Sequence, residues 1–183
     1  MRGLFVCGLA ALLMACAPAE EGDGMAAGCD ARAVSAWEAG EARLNVETST
    51  HGPDCSRAVA LIVIRDASGA PLYAETHLPA QVMTLAGATD RAAMQTALSE
   101  WADSSNATMA TTSALPEWPA NAEAPQSGEF PFYPDEGVDR EAYAALRAQN
   151  LPLFCYVQGM ESLRCLWFNQ GEIGSVGVQL FPG

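Results

Sequence analysis

The chain has 183 residues, enough for one domain with a tail. Half of the residues are hydrophobic and 17% are charged, a composition that supports a buried core and excludes a fully disordered chain. The formal net charge is −13, from 22 acidic residues against nine arginines and no lysine, so we expect no binding to nucleic acid phosphates.

The first sixteen residues have the pattern of an export signal. Met1 and Arg2 form a short positive region, and an apolar run of about a dozen residues follows at 3–14. This run is shorter than the roughly 20 residues that span a bilayer. It ends in Leu-Met-Ala-Cys at 13–16, which resembles the lipobox of bacterial lipoproteins.

The resemblance to bacterial lipoproteins implies a lipid anchor. Residues 1–15 would be removed as a signal peptide, and Cys16 would carry a diacylglycerol thioether and an acylated amine, enough acyl chains for stable anchoring. Ala17 after the cysteine, in place of an aspartate, implies the periplasmic side of the outer membrane if the cell is Gram-negative. The alternative is an ordinary signal peptide cleaved after Ala17 or Ala19.

Residues 16–28 predict a flexible tether between the lipidated cysteine and the folded domain at 29–183. The residues after Cys16 are small, acidic and poor in large apolar side chains. Loss of the signal would leave eight arginines against all 22 acidic residues. We therefore expect an anionic membrane surface to repel the domain.

Four cysteines remain after export, and an even number in an exported chain predicts two disulfides. Cys155 and Cys165 lie in two apolar runs that would face each other in a hairpin about Met160. This geometry predicts the pair Cys155–Cys165 and leaves Cys29 with Cys55. A metal or redox use is disfavoured, because no C-x-x-C is present and the spacing is wrong for a zinc knuckle.

The first half of the domain has the period of antiparallel strands. Apolar and polar residues alternate over 42–50 and over 72–78, and an earlier strand is predicted at 32–37. The run 59–64 is continuously apolar and β-branched, which predicts a central strand.

Two helices and a last group of strands follow. Thr89 is the predicted N-cap of a helix that carries an apolar stripe ending at Trp101, and Asp139 is the predicted N-cap of a helix that ends near Gln149. The predicted hairpin pairs 151–157 with 163–168, and a last strand spans 173–181. The chain is thus predicted to be a single α+β domain, with antiparallel sheet(s) of about six strands, two helices, a long loop rich in proline and two disulfides.

Residues 104–138 form the predicted loop, which contains five of the eleven prolines. From Ala92 to Asp139 inclusive, the chain contains no basic residue and eight acidic residues. Four aromatic residues in this loop have two interpretations: they pack the loop onto the sheet, which we favour, or they form a contact surface for a partner. These candidate partner-binding residues are Trp118, Phe130, Phe132 and Tyr133.

Histidine chemistry is the next possibility. His51 lies in a turn near Asp54, and His77 shares a strand face with Glu75 and Tyr73. We interpret this face as a solvated polar surface in preference to an acid–base pair or a metal site.

Calcium binding is a further alternative. The acidic group of Asp135, Glu136, Asp139 and Glu141 offers the oxygen ligands that calcium takes. Its order does not match an EF-hand loop, and acids at a helix start explain the last two. We assign no catalytic residue, metal or cofactor.

The sequence therefore favours a membrane-tethered, non-catalytic module for binding or envelope assembly. One alternative is an inhibitor or scavenger of a cationic partner, with the logic of the periplasmic lysozyme-inhibitor lipoproteins. Another is a periplasmic hydrolase that uses His51 or His77. The expected partners are the membrane, through the lipid, and a basic protein.

Overall fold

The computed structural model describes residues 28–104, 106–127 and 130–181. The export signal, Cys16 and most of the tether lie outside the described residues. Two antiparallel sheets and two helices form one α+β domain, as predicted. Within the described ranges, no helix is long and apolar enough to cross a membrane.

The first sheet contains four strands in the order β1-β2-β3-β4, so each strand pairs with its neighbour in the chain. Each lies within two residues of its predicted range, because the alternation of apolar and polar residues marks one buried face. β3, predicted as central, is an inner strand that buries Ala60, Ile62 and Ile64 on that face. The strands are β1 Ala31–Ala39, β2 Ala42–His51, β3 Val59–Arg65 and β4 Pro71–His77.

The second sheet contains six strands in the order β5-β8-β9-β10-β7-β6. Its centre is the predicted hairpin of β8 and β9, in which Cys155 faces Cys165, Leu153 faces Trp167 and Val157 faces Leu163. The predicted register is therefore confirmed. The strands are β5 Thr108–Thr111, β6 Gln126–Ser127, β7 Phe130–Pro134, β8 Pro152–Val157, β9 Ser162–Asn169 and β10 Glu172–Leu180.

The segment 104–138 differs from the predicted loop. It contains β5, β6, β7 and a short 3-10 turn at Thr112–Ala114, and these strands bring the number in the described ranges to ten. They are short, and prolines interrupt β7, so no local period marks them. They form because β5 pairs with β8 and β7 pairs with β10.

The helices are α1 Arg91–Trp101 and α2 Arg140–Gln149. Asp139 caps α2 as predicted, but Asp90, and not Thr89, caps α1. The Asp90 carboxylate accepts the Ala93 N–H at 2.9 Å, because Asp90 has the extended backbone that directly precedes the first helical residue. The predicted apolar stripe of α1 is buried and consists of Met94, Ala97, Leu98 and Trp101.

A main core lies between the two sheets and α1. Trp37 of β1 packs against Phe154 and Phe168 with ring centroids 5.4 and 6.2 Å apart. From α1, the Trp101 indole N–H donates to the Val157 carbonyl at 2.6 Å. These contacts join β1, α1 and the β8–β9 hairpin.

A second core lies on the opposite face of the β8–β9 hairpin, between that face and α2. Phe132 of β7 and Tyr143 of α2 are fully buried there, together with the disulfide of the hairpin. Because successive side chains of a strand point to opposite faces, β8 and β9 supply residues to both cores in alternation.

The outer edge of β1 is covered by α1. The Arg32 N–H donates to Gln95 Oε1 at 3.3 Å, and the Gln95 Nε2 donates to the Arg32 carbonyl. We call this pair of hydrogen bonds between Gln95 and Arg32 the glutamine clamp. Beside it, the Ser35 hydroxyl donates to the Ala102 carbonyl at 2.8 Å. The helix thus satisfies backbone groups that a further strand would otherwise pair.

Both disulfides have the predicted pairing. Cys29–Cys55 ties the start of the domain to the connection between β2 and β3, and Cys155–Cys165 crosses β8 and β9 with 4.0 Å between the Cα atoms. A cysteine pair directly opposite across an antiparallel ladder has this close approach when the pair is not hydrogen-bonded.

We expect the double substitution Cys155→Ala/Cys165→Ala to lower the free energy of unfolding by about 3 kcal/mol, because a closed loop restricts the unfolded chain. Urea unfolding of the two proteins measures this difference. Cys29→Ala/Cys55→Ala is the matched control and should cost slightly more, since its loop is longer. A loss below about 1 kcal/mol in the first variant would contradict the expectation.

Candidate functional site

Tyr73, Glu75 and His77 share the inner face of β4. Their partners on β3, at 60, 62 and 64, are buried in the main core, and residues opposite each other in a ladder share a face. The three side chains are half-buried. The interpretation as a solvated strand face was therefore wrong, because β4 presents this polar row to the space between the sheets.

Glu75 is held by tyrosine hydroxyls from both sheets. Its Oε2 accepts hydrogen bonds from Tyr73 on the same strand and from the fully buried Tyr156 on β8, the latter at 2.6 Å. The two hydroxyl oxygens lie 2.9 Å apart. Three oxygen atoms thus form one hydrogen-bonded group that connects the two sheets.

The protonation of this group follows from its contacts. Burial acts to raise the pKa of the Glu75 carboxyl, but the hydrogen bonds from Tyr156 and Tyr73 prevail and hold it below its usual value. Burial, together with the neighbouring Glu75, raises the pKa of both tyrosines. Glu75 is therefore an anion at neutral pH with two neutral hydroxyl donors.

His77 lies against aromatic rings at the end of the same row. Its ring meets Trp101 and Tyr156 edge-on, with centroids 5.4 and 5.9 Å apart. Its buried Nε2 has no hydrogen-bond partner among the described residues. Burial lowers the pKa of the imidazole, and this effect exceeds the opposing attraction of Glu75. His77 is thus kept neutral.

Arg164 of β9 lies near this row but is bound to other groups. Its guanidinium donates to Asp135 at 2.9 Å, to the Ser175 hydroxyl at 3.2 Å and to Gln158 Oε1 at 3.0 Å. The ion pair with Asp135 fixes the end of β7 to the sheet.

Among the described residues, the acidic group at 135–141 does not form a set of calcium ligands. Asp135 is paired with Arg164, and Asp139 caps α2. In the part of the chain that the structure describes, no group of three or more His, Cys, Asp or Glu side chains converges as a metal site.

The candidate residue His51 pairs with Asp30. It is exposed at the end of β2, with Nδ1 3.7 Å from Asp30. Asp54 binds Ser56 and Arg57 instead, and these hydrogen bonds lower the pKa of its carboxyl to about 2. Within 28–104, 106–127 and 130–181, neither histidine makes a hydrogen bond to a serine or threonine hydroxyl, and all four cysteines form disulfides.

The four aromatic residues of 104–138 separate into two pairs. The Trp118 ring packs edge-on against Tyr143 at 5.6 Å and lies 4.9 Å from the Arg140 guanidinium, while Phe132 is fully buried beside the same tyrosine. These two residues pack the segment inward, into the second core and against Tyr143 of α2, where we had favoured packing onto the sheet. Phe130 is 36% exposed and Tyr133 is 51% exposed, so these two stay accessible to a partner.

An apolar groove of 140 Å³ opens beside the second core. Leu153, Leu163 and the Cys155–Cys165 disulfide line its floor, and the residues 114–116 form one wall. Thr108, Ala110, Phe132 and Gln179 complete the lining. Sequence reasoning missed the groove because its residues come from five separate strands and a turn, although the hairpin face that forms the floor was predicted.

Most arginines in the described ranges are bound to partners within the chain. Arg140 donates to the carbonyls of Trp118, Pro119 and Ala122, and Arg91 is exposed at the start of α1. The other arginines form ion pairs: Arg32–Glu47, Arg43–Glu38, Arg57–Asp54, Arg65–Glu47, Arg147–Glu117 and Arg164–Asp135.

The acidic side chains that remain are spread over the surface. Among the described residues, seven exposed glutamates have no basic partner: Glu41, Glu100, Glu123, Glu136, Glu141, Glu161 and Glu172. The accessible charge of the domain is therefore strongly negative.

Comparison of this chain with protein-family models, with curated proteins and with solved structures finds no match. The function is consequently inferred from the residues described above.

We expect the free energy of unfolding to fall as the pH drops below about 6.5, the usual pKa of histidine. The unfolded chain binds a proton at His77 more readily than the folded chain, so stability is complete above that pH and decreases toward the lower pKa of the folded state. The loss between pH 6.5 and 5.5 is at most about 1 kcal/mol, because His77 is half-buried.

Urea unfolding at several pH values measures this loss. His77→Phe should remove most of the decline because phenylalanine has no proton to gain. His51→Gln, at the exposed end of β2, is the matched control and should keep the decline. An equal decline in His77→Phe and in the unaltered protein would show that another group is responsible.

Proposed function

We propose that the protein is a lipid-anchored, periplasm-facing module that binds a cationic protein. The observation that carries this proposal is the asymmetry of charge on the domain. Nearly all described arginines are bound within the chain, while seven glutamates are exposed without a basic partner. An acidic surface of this kind attracts basic partners and accelerates their encounter.

Two features support the location. The residues 1–16 resemble a lipoprotein signal, which implies a lipid on Cys16 and a position on the periplasmic side of the outer membrane in a Gram-negative cell. The two disulfides fit an oxidising compartment such as the periplasm.

The inner polar row supports a binding role without catalysis. Glu75 accepts two tyrosine hydroxyls, and His77 is packed between aromatic rings with its buried nitrogen unpaired. A general base needs a substrate proton within hydrogen-bond reach. The Glu75 carboxylate is instead engaged by two tyrosine hydroxyls, and the His77 ring is held by aromatic contacts that leave its buried Nε2 unpaired. We assign this row a role in joining the two sheets.

The lipid anchor is tested by Cys16→Ser. We expect the substituted protein to leave the membrane fraction, because the acyl chains supply the apolar area that holds a domain without a membrane-spanning helix. Fractionation with a salt wash and mass spectrometry of the mature N-terminal peptide measure the outcome. Membrane retention of Cys16→Ser after the wash would contradict anchoring through this residue.

The cationic partner is tested by capture from a cell-envelope extract at low and at moderate salt. We expect a stoichiometric protein partner that is lost as the salt rises, since screening weakens interactions between exposed charges. The variant Glu117→Gln/Glu123→Gln/Glu136→Gln should bind about threefold to tenfold more weakly, because three exposed charges of the segment 104–138 are removed.

The matched control is Glu41→Gln/Glu161→Gln/Glu172→Gln, which removes the same charge from other elements. It should weaken capture less than the first variant if the partner meets the segment 104–138. Capture that is insensitive to salt, or equal for an acidic and a basic partner, would contradict the proposal.

A further inference from the structure

We infer that the groove of 140 Å³ receives one apolar side chain of the cationic partner, flanked in that partner by lysine or arginine. This inference rests on the proposed function and adds the feature that the partner must carry. The acidic surface of the domain alone would bind any basic protein surface. A groove that fits one apolar side chain selects the segment of the partner that carries that side chain.

The size of the groove favours a single side chain. A cavity of about 150 Å³ lined by apolar side chains holds a molecule of the size of benzene, whereas sites for small-molecule ligands begin near 300 Å³. At 140 Å³, the groove has room for the side chain of one leucine or phenylalanine.

The lining also favours an apolar occupant. Leu153, Leu115 and the disulfide sulfurs are buried at the floor and wall, and no charged residue lines the groove. The amide nitrogen of Gln179 donates to the carbonyls of Phe130 and Pro131 and so is not free for a ligand. Because most of the lining is apolar, binding energy comes mainly from removing apolar surface from water.

The charge around the groove specifies the residues that flank this side chain. The wall at 114–116 belongs to the acidic segment, and Glu117 follows it with 84% of its side chain exposed. Arg147 lies beside the same wall, but its guanidinium donates to the carbonyls of Leu115 and Ser113 and lies 4.0 Å from Glu117. Because Arg147 partly neutralises Glu117, the attraction for basic flanking residues comes from the net negative charge of the domain, which includes the unpaired Glu123 and Glu136 of the same segment. The same charge repels the anionic headgroup of a lipid.

Hydrogen bonds and the disulfide hold the wall and the floor of the groove in place. The Thr112 hydroxyl donates to the Leu146 carbonyl of α2 and accepts the Leu151 N–H, at 2.7 and 3.0 Å, which fixes the turn that leads into the wall. The disulfide fixes the floor. A preformed site loses little conformational entropy on binding.

The test is an NMR titration of the isotope-labelled protein with blocked five-residue peptides. The first probe has leucine between two pairs of lysines, the second has serine in place of leucine, and the third keeps the leucine between two pairs of serines. We expect the first peptide to shift the amide signals of the groove residues and to bind at least about tenfold more tightly than the second, because only leucine buries apolar area.

A substitution provides an independent measurement. Ala110→Phe places a ring in the groove from β5 and should reduce binding of the leucine–lysine peptide to that of the serine–lysine peptide. Ala74→Phe on the outward face of β4 is the matched control and should bind as the unaltered protein does. An unchanged pattern of amide signals verifies that each variant is folded. The comparison of the three peptides uses the unaltered protein and so does not depend on any variant.

The outcomes separate the two proposals. Equal, salt-sensitive binding of both lysine peptides, or shifts outside the groove, would overturn the inference and leave the proposed cationic partner intact. Tight binding of the leucine–serine peptide would overturn the charge requirement and contradict the proposed function with it. Absence of binding by all three peptides would overturn the inference, while capture at two salt concentrations decides the function separately.

Discussion

The rest of the fold depends on the burial of both faces of the β8–β9 hairpin. Phe154 and Tyr156 enter the main core, while Leu153 and Cys155 enter the second core. A shift of the pairing by one residue would exchange these two sets and place each in the wrong core. The disulfide to Cys165 holds the register by a covalent bond, so both cores assemble on one fixed scaffold.

The two faces of this hairpin have different chemistry as a result. On the face toward the first sheet, the half-buried carboxylate of Glu75 is partly removed from water, and hydroxyls from β4 and β8 supply its hydrogen bonds. On the opposite face, α2 covers part of the sheet and leaves an apolar groove beside the disulfide. Cohesion of the domain and the proposed recognition of a partner thus use separate surfaces.

The extent to which the sequence predicted this fold depends on the range of the contacts involved. The hairpin register, both disulfides and the cap at Asp139 follow from local alternation, spacing and capping chemistry. The strands β5 and β7 and the groove depend on pairing with distant strands, which no local pattern encodes. The helix cap at Asp90 was missed by one residue, because the preceding Thr89 is also a residue type common at N-caps.

The glutamine clamp on β1 has a consequence for copies of the protein at high density. Gln95 occupies the backbone groups of Arg32 that would template a foreign strand, and β4, the other edge of this sheet, begins at Pro71 and directs Glu75 inward. Closed edges, prolines and inward charges each discourage sheets from joining end to end. With the proposed lipid anchor, molecules concentrated on a membrane would therefore stay separate and would not merge through this sheet into aggregates.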